Sequence, residues 1–120
     1  MRVDERAGGR PVPARRTRQV LINLLDNAVR HGPPGGAVVL RLEPAAGGVA
    51  VTVQDEGLDS TPVEAALRRH TPPAGMSGMG LWIVRQLVEV DGGTVTAYRT
   101  PAGVAVRVVL PCPSRRHPAA

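Results

Sequence analysis

Apolar positions along this 120-residue chain change period several times, and each change marks an element. Leu21, Leu24, Leu25 and Ala28 recur at the spacing of one helix face, predicting a helix from about Ala14 to His31. Gly32-Pro33-Pro34-Gly35-Gly36 stops it. The period then drops to two. Val38, Leu40 and Leu42 alternate with Val39, Arg41 and Glu43. Beyond a turn at Ala45 to Gly48, Val49, Val51 and Val53 alternate with Ala50, Thr52 and Gln54 as far as Asp55. Two such strands joined by a short glycine-containing link predict a hairpin. Thr61-Pro62-Val63-Glu64 has the form of a capping box, opening a short helix from about Pro62 to Arg69. Helical spacing returns in Leu81, Val84, Leu87 and Val88 and ends at Gly92-Gly93, as a glycine cap would end it. Thr94 to Arg99 and Val104 to Leu110 predict a second hairpin around Pro101-Ala102-Gly103. The order is helix, hairpin, short helix, helix, hairpin. It predicts an α/β two-layer sandwich, a mixed and mostly antiparallel sheet with helices on one face. Residues 1–13 read as a flexible segment, 14–111 as the domain and 112–120 as a disordered tail.

Composition narrows the partners. At 42% apolar and 21% charged residues, the chain suits one globular domain with a modest core. The net charge is +5, and every basic residue counted in it is arginine, crowded at Arg2, Arg6, Arg10, Arg15, Arg16 and Arg18 and again at Arg115 and Arg116. Trp82 and Tyr98 are the only aromatic residues, so no basic stripe is interleaved with aromatics, and nucleic acid is not the expected partner. The single Cys112 excludes an intrachain disulfide and fits a cytoplasmic location. No apolar run approaches the roughly 20 residues that span a bilayer, and no membrane contact by this segment is expected.

Three stretches carry candidate chemistry. N-L-L-D-N-A places Asn23 and Asn27 one helical turn apart within an apolar run. An amide oxygen, phosphate oxygens and water together suit Mg²⁺, although an isolated N-x-x-x-N also fits a solvated helix face. D-E-G (Asp55 to Gly57) puts a carboxylate at a strand end, where it can accept a hydrogen bond from an adenine amino group; alone, the same triplet is a turn. G-M-G-L (Gly78 to Leu81) sets glycines directly before an apolar helix, where backbone N–H groups and the helix dipole favour an anion.

In this order, and with G-M-G-L-W-I-V-R-Q-L-V-E-V-D-G-G as the longest motif, the chain resembles the ATP-binding catalytic domain of bacterial sensor histidine kinases over roughly residues 12–111. The resemblance implies the Bergerat ATP-binding fold, with ATP and Mg²⁺ as cofactors. It implies Asn27 as the magnesium ligand and Asn23 as the group that organises water and phosphate. Arg30 falls where a basic residue meets phosphate, and His31 where a ring packs beside adenine. Asp55 corresponds to the adenine-specific contact, with Gly57 letting the base approach. Gly78, Met79, Gly80 and Leu81 correspond to the phosphate loop and helix start. The γ-phosphoryl group would pass to a histidine on a separate dimerisation domain, and a response regulator would be a further partner. His31, His70 and His117 lack the context of a phosphoacceptor, so the chain is not expected to phosphorylate itself.

Departures from the family pattern concern activity. Asp59 replaces a glycine and Ser60 an isoleucine near the base, Met76 replaces a glycine of the phosphate loop, and Val104 stands for a threonine of the adenine network. The chain has no phenylalanine, so the lid motif that uses one is missing. These departures support an alternative, a degenerate pseudokinase that serves as a protein-interaction domain. An anti-sigma-factor-type serine kinase shares the fold, but tends to carry an acidic residue where Asn23 stands.

Overall fold

The structure, a computed structural model, describes residues 2–5, 14–73 and 79–111. In chain order the elements are β1 (Arg2–Glu5), α1 (Ala14–His31), β2 (Val39–Ala45), β3 (Gly48–Asp55), α2 (Thr61–Leu67), α3 (Met79–Val90), β4 (Thr94–Thr100) and β5 (Gly103–Pro111). The five strands form one sheet in the order β1-β2-β3-β5-β4. β1 runs parallel to β2, and every other pairing is antiparallel. This is the predicted two-layer sandwich.

The N-terminal segment departs from expectation. Instead of being flexible throughout, it contributes β1, with Arg2 opposite Val39 and Glu5 opposite Leu42. The sequence R-V-D-E has no apolar alternation, so periodicity does not reveal it, and the strand shows only in its backbone pairing with β2. The expected tail, 112–120, lies outside the described residues.

Alternation decides which sheet face is covered. Val49, Val51 and Val53 of β3 and Val104, Val106, Val108 and Leu110 of β5 point to one side and are buried. Register puts Val51 opposite Val108 and Val53 opposite Val106, so the two central strands present a continuous apolar floor. Val20, Leu24 and Ala28 of α1 and Leu81, Val84 and Val88 of α3 cover that floor. Leu21 and Leu25, expected in the same stripe, pack at its margin.

The two long helices run antiparallel. At one end Arg16 makes a bidentate ion pair with Asp91, with Nη2 2.7 Å from Oδ1. At the other end Asn23 lies beside Gly80. This crossing delivers the polar side of α1 to the first turn of α3. α3 closes as expected on glycine: Gly92 has φ +78°, and Gly93 N–H bonds the Val88 carbonyl at 2.9 Å. That is a Schellman ending, for which an L side chain at Gly92 would be strained.

The entry to α2 corrects one reading. The residue before the helix is Ser60, not Thr61, and its φ of −85° and ψ of −8° are already helical. Its hydroxyl therefore does not cap a backbone N–H but donates to Glu64 Oε2 at 2.6 Å. Asp59 supplies the cap instead, its Oδ1 accepting the Thr61 N–H at 2.9 Å. This contact is the main reason the Asp59 carboxyl is held below the usual carboxylate value.

Candidate functional site

Chain punctuation builds the site at one end of the sandwich. α1 ends where Gly32 begins the glycine-proline run, and Gly32 N–H still bonds the Ala28 carbonyl at 2.9 Å. That last turn lies directly over the end of β3. A Cβ on Gly32 would come within 2.8 Å of the Ala28 carbonyl oxygen and 3.1 Å of Asp55 Cβ. Only a residue without a side chain fits between the helix end and the carboxylate. Sequence reasoning missed Gly32 because the contact that requires it is long-range. A glycine after a helix reads simply as a stop.

Asp55 is buried beneath this corner, 6% exposed. Desolvation pushes its carboxyl above the ordinary value, opposed by the Gly57 N–H and by the nearby His31. The Gly57 N–H donates to Oδ1 at 2.6 Å, and Oδ2 has no hydrogen-bond donor among the described residues. A Cβ on Gly57 would meet that Oδ1 at 2.7 Å, the His31 carbonyl oxygen at 3.5 Å and Val104 Cγ2 at 3.6 Å. Val104 is also the register partner of Asp55 across β3 and β5. His31, Gly32, Asp55, Gly57 and Val104 thus form one cluster, with three of the expected base-site residues in it.

The second cluster joins the asparagine helix to the glycine motif. A Cβ on Gly80 would lie 3.9 Å from both Cβ and Oδ1 of Asn23. Asn23 is half-buried, and its Nδ2 is buried without a hydrogen-bond partner among the described residues. A buried amide donor left unpaired costs free energy, about 1–3 kcal/mol, so such a group marks a place where a ligand oxygen would be welcome. Asn27 is 9% exposed and more deeply seated than a residue on a solvated face. Met79 and Gly80 are half-buried in the first turn of α3, and Leu81 is buried. Gly78 lies outside the described residues, as do Gly75 and Met76.

Arg30 is placed differently from its neighbours. Its Nε pairs with Asp26 Oδ2 at 2.9 Å on the exposed side of α1, and its side chain is 72% exposed. In this arrangement it touches neither cluster. Asp59, read from the sequence as a bulky anion beside the base, is exposed and engaged with the start of α2.

Two recesses flank the end of α1. One of about 210 Å³ is lined by His31, Pro62, Val63, Ala65, Ala66, Arg69 and Leu81. The other, about 150 Å³, runs along the glycine-proline turn and includes Asp55 and Glu56. The larger recess does not contain the carboxylate. The smaller recess carries the buried carboxylate, and the larger is walled mainly by apolar side chains, so together they offer one polar and one apolar surface beside His31. His31 connects the two, lining the larger recess while its carbonyl oxygen faces Gly57.

Comparison with known proteins gives the chain its family. The sequence profile of the histidine kinase-, DNA gyrase B-, and HSP90-like ATPases matches residues 13–114. The chain is 40% identical over 106 residues to the signal transduction histidine-protein kinase/phosphatase MprB of Mycolicibacterium vanbaalenii, covering 78% of this chain and 22% of that protein. It is 37% identical over 103 residues to the C4-dicarboxylate transport sensor protein DctB of Rhizobium meliloti, covering 79% and 16% respectively. The chain therefore spans about a fifth of the length of these curated relatives. Among solved structures, a mycobacterial sensor histidine kinase MprB superimposes with a TM-score of 0.68 at 27% identity, covering 92% of this chain and 82% of that one. The catalytic domain of histidine kinase ThkA matches in fold, with a TM-score of 0.75 at 23% identity and coverage of 92% and 78%. The chain belongs to the histidine kinase-, DNA gyrase B-, and HSP90-like ATPase family, as the catalytic domain of a sensor histidine kinase.

Proposed function

We propose that this domain binds Mg·ATP between α1 and the start of α3 and supports transfer of the γ-phosphoryl group to a histidine on a separate dimerisation domain. The observation that carries the reading is the pairing of two polar groups at one corner that are unfinished among the described residues: the Asn23 amide beside Gly80, and the Asp55 carboxylate with one oxygen uncommitted. They fit the two ends of one nucleotide. Asp55 accepts from the adenine amino group, which a guanine could not offer at that position. His31 packs against the base and Gly57 admits it. Asn23 donates toward phosphate oxygens, and Gly80 keeps the backbone of α3 accessible so that the free N–H groups of its first turn face the same oxygens. Asn27 supplies the protein oxygen for Mg²⁺, which neutralises phosphate charge. For Arg30 to reach phosphate it must leave Asp26, and that surface pair is weak enough to exchange.

The nucleophile belongs to the partner domain, and a response regulator takes the phosphoryl group onward, on the cytoplasmic side of the membrane. Incubation with labelled ATP tests this. The chain alone should gain no label, whereas an added dimerisation domain from a sensor kinase should gain acid-labile phosphate. Robust acid-labile phosphate on this chain alone would contradict the reading.

The competing reading, a degenerate interaction domain, rests on Val104, whose buried methyl groups line the Asp55 cluster and offer no hydroxyl. Asp59 no longer speaks for it, because its carboxylate caps α2.

A further inference from the structure

We propose that Arg85 is a positioning residue of this site, holding α2 in place as the wall of the larger recess; the link to nucleotide rests on the function proposed above. α2 and the residues just beyond it supply most of that wall, namely Pro62, Val63, Ala65, Ala66 and Arg69. A helix of seven residues is too short to be stable by itself, so its position depends on what grips it. On the core side the grip is apolar, through buried Val63 and Leu67 one turn apart. At the C-terminal end it is polar. The last carbonyls of a helix have no partner within it, and a cation nearby both bonds them and opposes the dipole.

α2 has no basic residue of its own in its last turn. Arg85 supplies one from α3: its Nη1 donates to the carbonyl oxygen of Leu67, the last residue of α2. The side chain is 18% exposed, and its Nε is 3.7 Å from Glu89 Oε2, one turn further along α3. Glu89 is within ion-pair range of the guanidinium, but Nε makes no hydrogen bond among the described residues, so the contact to α2 is the hydrogen bond that anchors this side chain. Arg85 stands four residues after Leu81, the α3 residue that lines the same recess. One side chain therefore couples the helix that begins at the glycine motif to the helix that walls the recess.

The test uses Arg85→Met, which keeps the apolar stem but cannot donate, and Arg85→Lys, which can. Hydrogen exchange would be read at the amides of residues 64–69, and affinity for a fluorescent ATP analogue with Mg²⁺ would be measured on the same proteins. Arg85→Met should speed exchange in α2 by about tenfold, the loss of one charge-assisted hydrogen bond. Exchange in α1 and β3 should stay unchanged, and nucleotide affinity should fall several-fold. Arg85→Lys should restore most of both. Unchanged α2 exchange in Arg85→Met would overturn the positioning role. So would acceleration spread evenly over α1, β3 and α2, which would mean general destabilisation. Faster α2 exchange with unaltered affinity in all three proteins would sever α2 from the site and overturn the role as well. If the unaltered protein binds no nucleotide, the proposed function fails, and the exchange data still decide whether Arg85 holds the recess wall.

Discussion

At the scale of the residue, the role proposed for Asp55 joins stability to recognition. Burial raises its carboxyl above the ordinary value of 3.8, so the folded protein holds that proton more tightly than the unfolded chain does. The stabilisation due to protonation is fully present below the unfolded value and is lost as pH rises through the raised native one. Above the raised value the ionised group is a cost to the fold, one that on the proposed function binding specificity maintains. Asp55→Asn removes the charge and keeps an acceptor for the Gly57 N–H. We expect the variant to melt at or above the wild-type temperature at pH 7, with the difference closing as pH falls through the raised value. In the same variant the preference for ATP over GTP should disappear, because an amide can present a donor where the carboxylate only accepts. A lower melting temperature at pH 7 with adenine preference intact would show that Asp55 serves the fold and not the base.

At the scale of the element, two glycines at helix ends should respond in opposite directions. Gly32→Ala forces a Cβ against the Ala28 carbonyl and Asp55, and overpacking of this kind costs about 1–3 kcal/mol. Gly80→Ala meets only an ordinary contact with Asn23, and alanine is the better helix former by up to about 1 kcal/mol. Denaturant melts should show Gly32→Ala less stable and Gly80→Ala equal or better, yet Gly80→Ala should bind Mg·ATP more weakly. If Gly80→Ala binds as well as the wild type, the start of α3 is not a phosphate site. The elements themselves were largely legible in the chain. α1 runs from Ala14 to His31 as its stripe and its glycine-proline stop require, and both hairpins lie where alternation places them. What escaped was whatever depends on a distant partner. β1 is visible only through β2, Gly32 only through Asp55, and Arg85, a charge inside the apolar run I-V-R-Q-L, only through the Leu67 carbonyl. The start of α2 lies one residue earlier than expected because Thr61 has the hydroxyl of a capping box, yet it is already helical and its N–H bonds Asp59.

At the scale of the whole molecule, the antiparallel crossing of α1 and α3 turns a sequence separation of more than fifty residues into one corner. The asparagine helix, the end of β3 and the glycine motif meet there because the valine floor of β3 and β5 fixes both helices on the same face. The central claim is that this corner holds Mg·ATP, with Asn27 giving the metal its protein ligand. Calorimetric titration of ATP with and without Mg²⁺, on the wild type and on Asn27→Ala, tests it most directly. The account predicts tighter binding with Mg²⁺ in the wild type, and loss of that magnesium-dependent gain in a variant that still unfolds cooperatively. Binding that is equally tight with and without Mg²⁺ in both proteins, or no binding by the wild type at millimolar ATP, would contradict it.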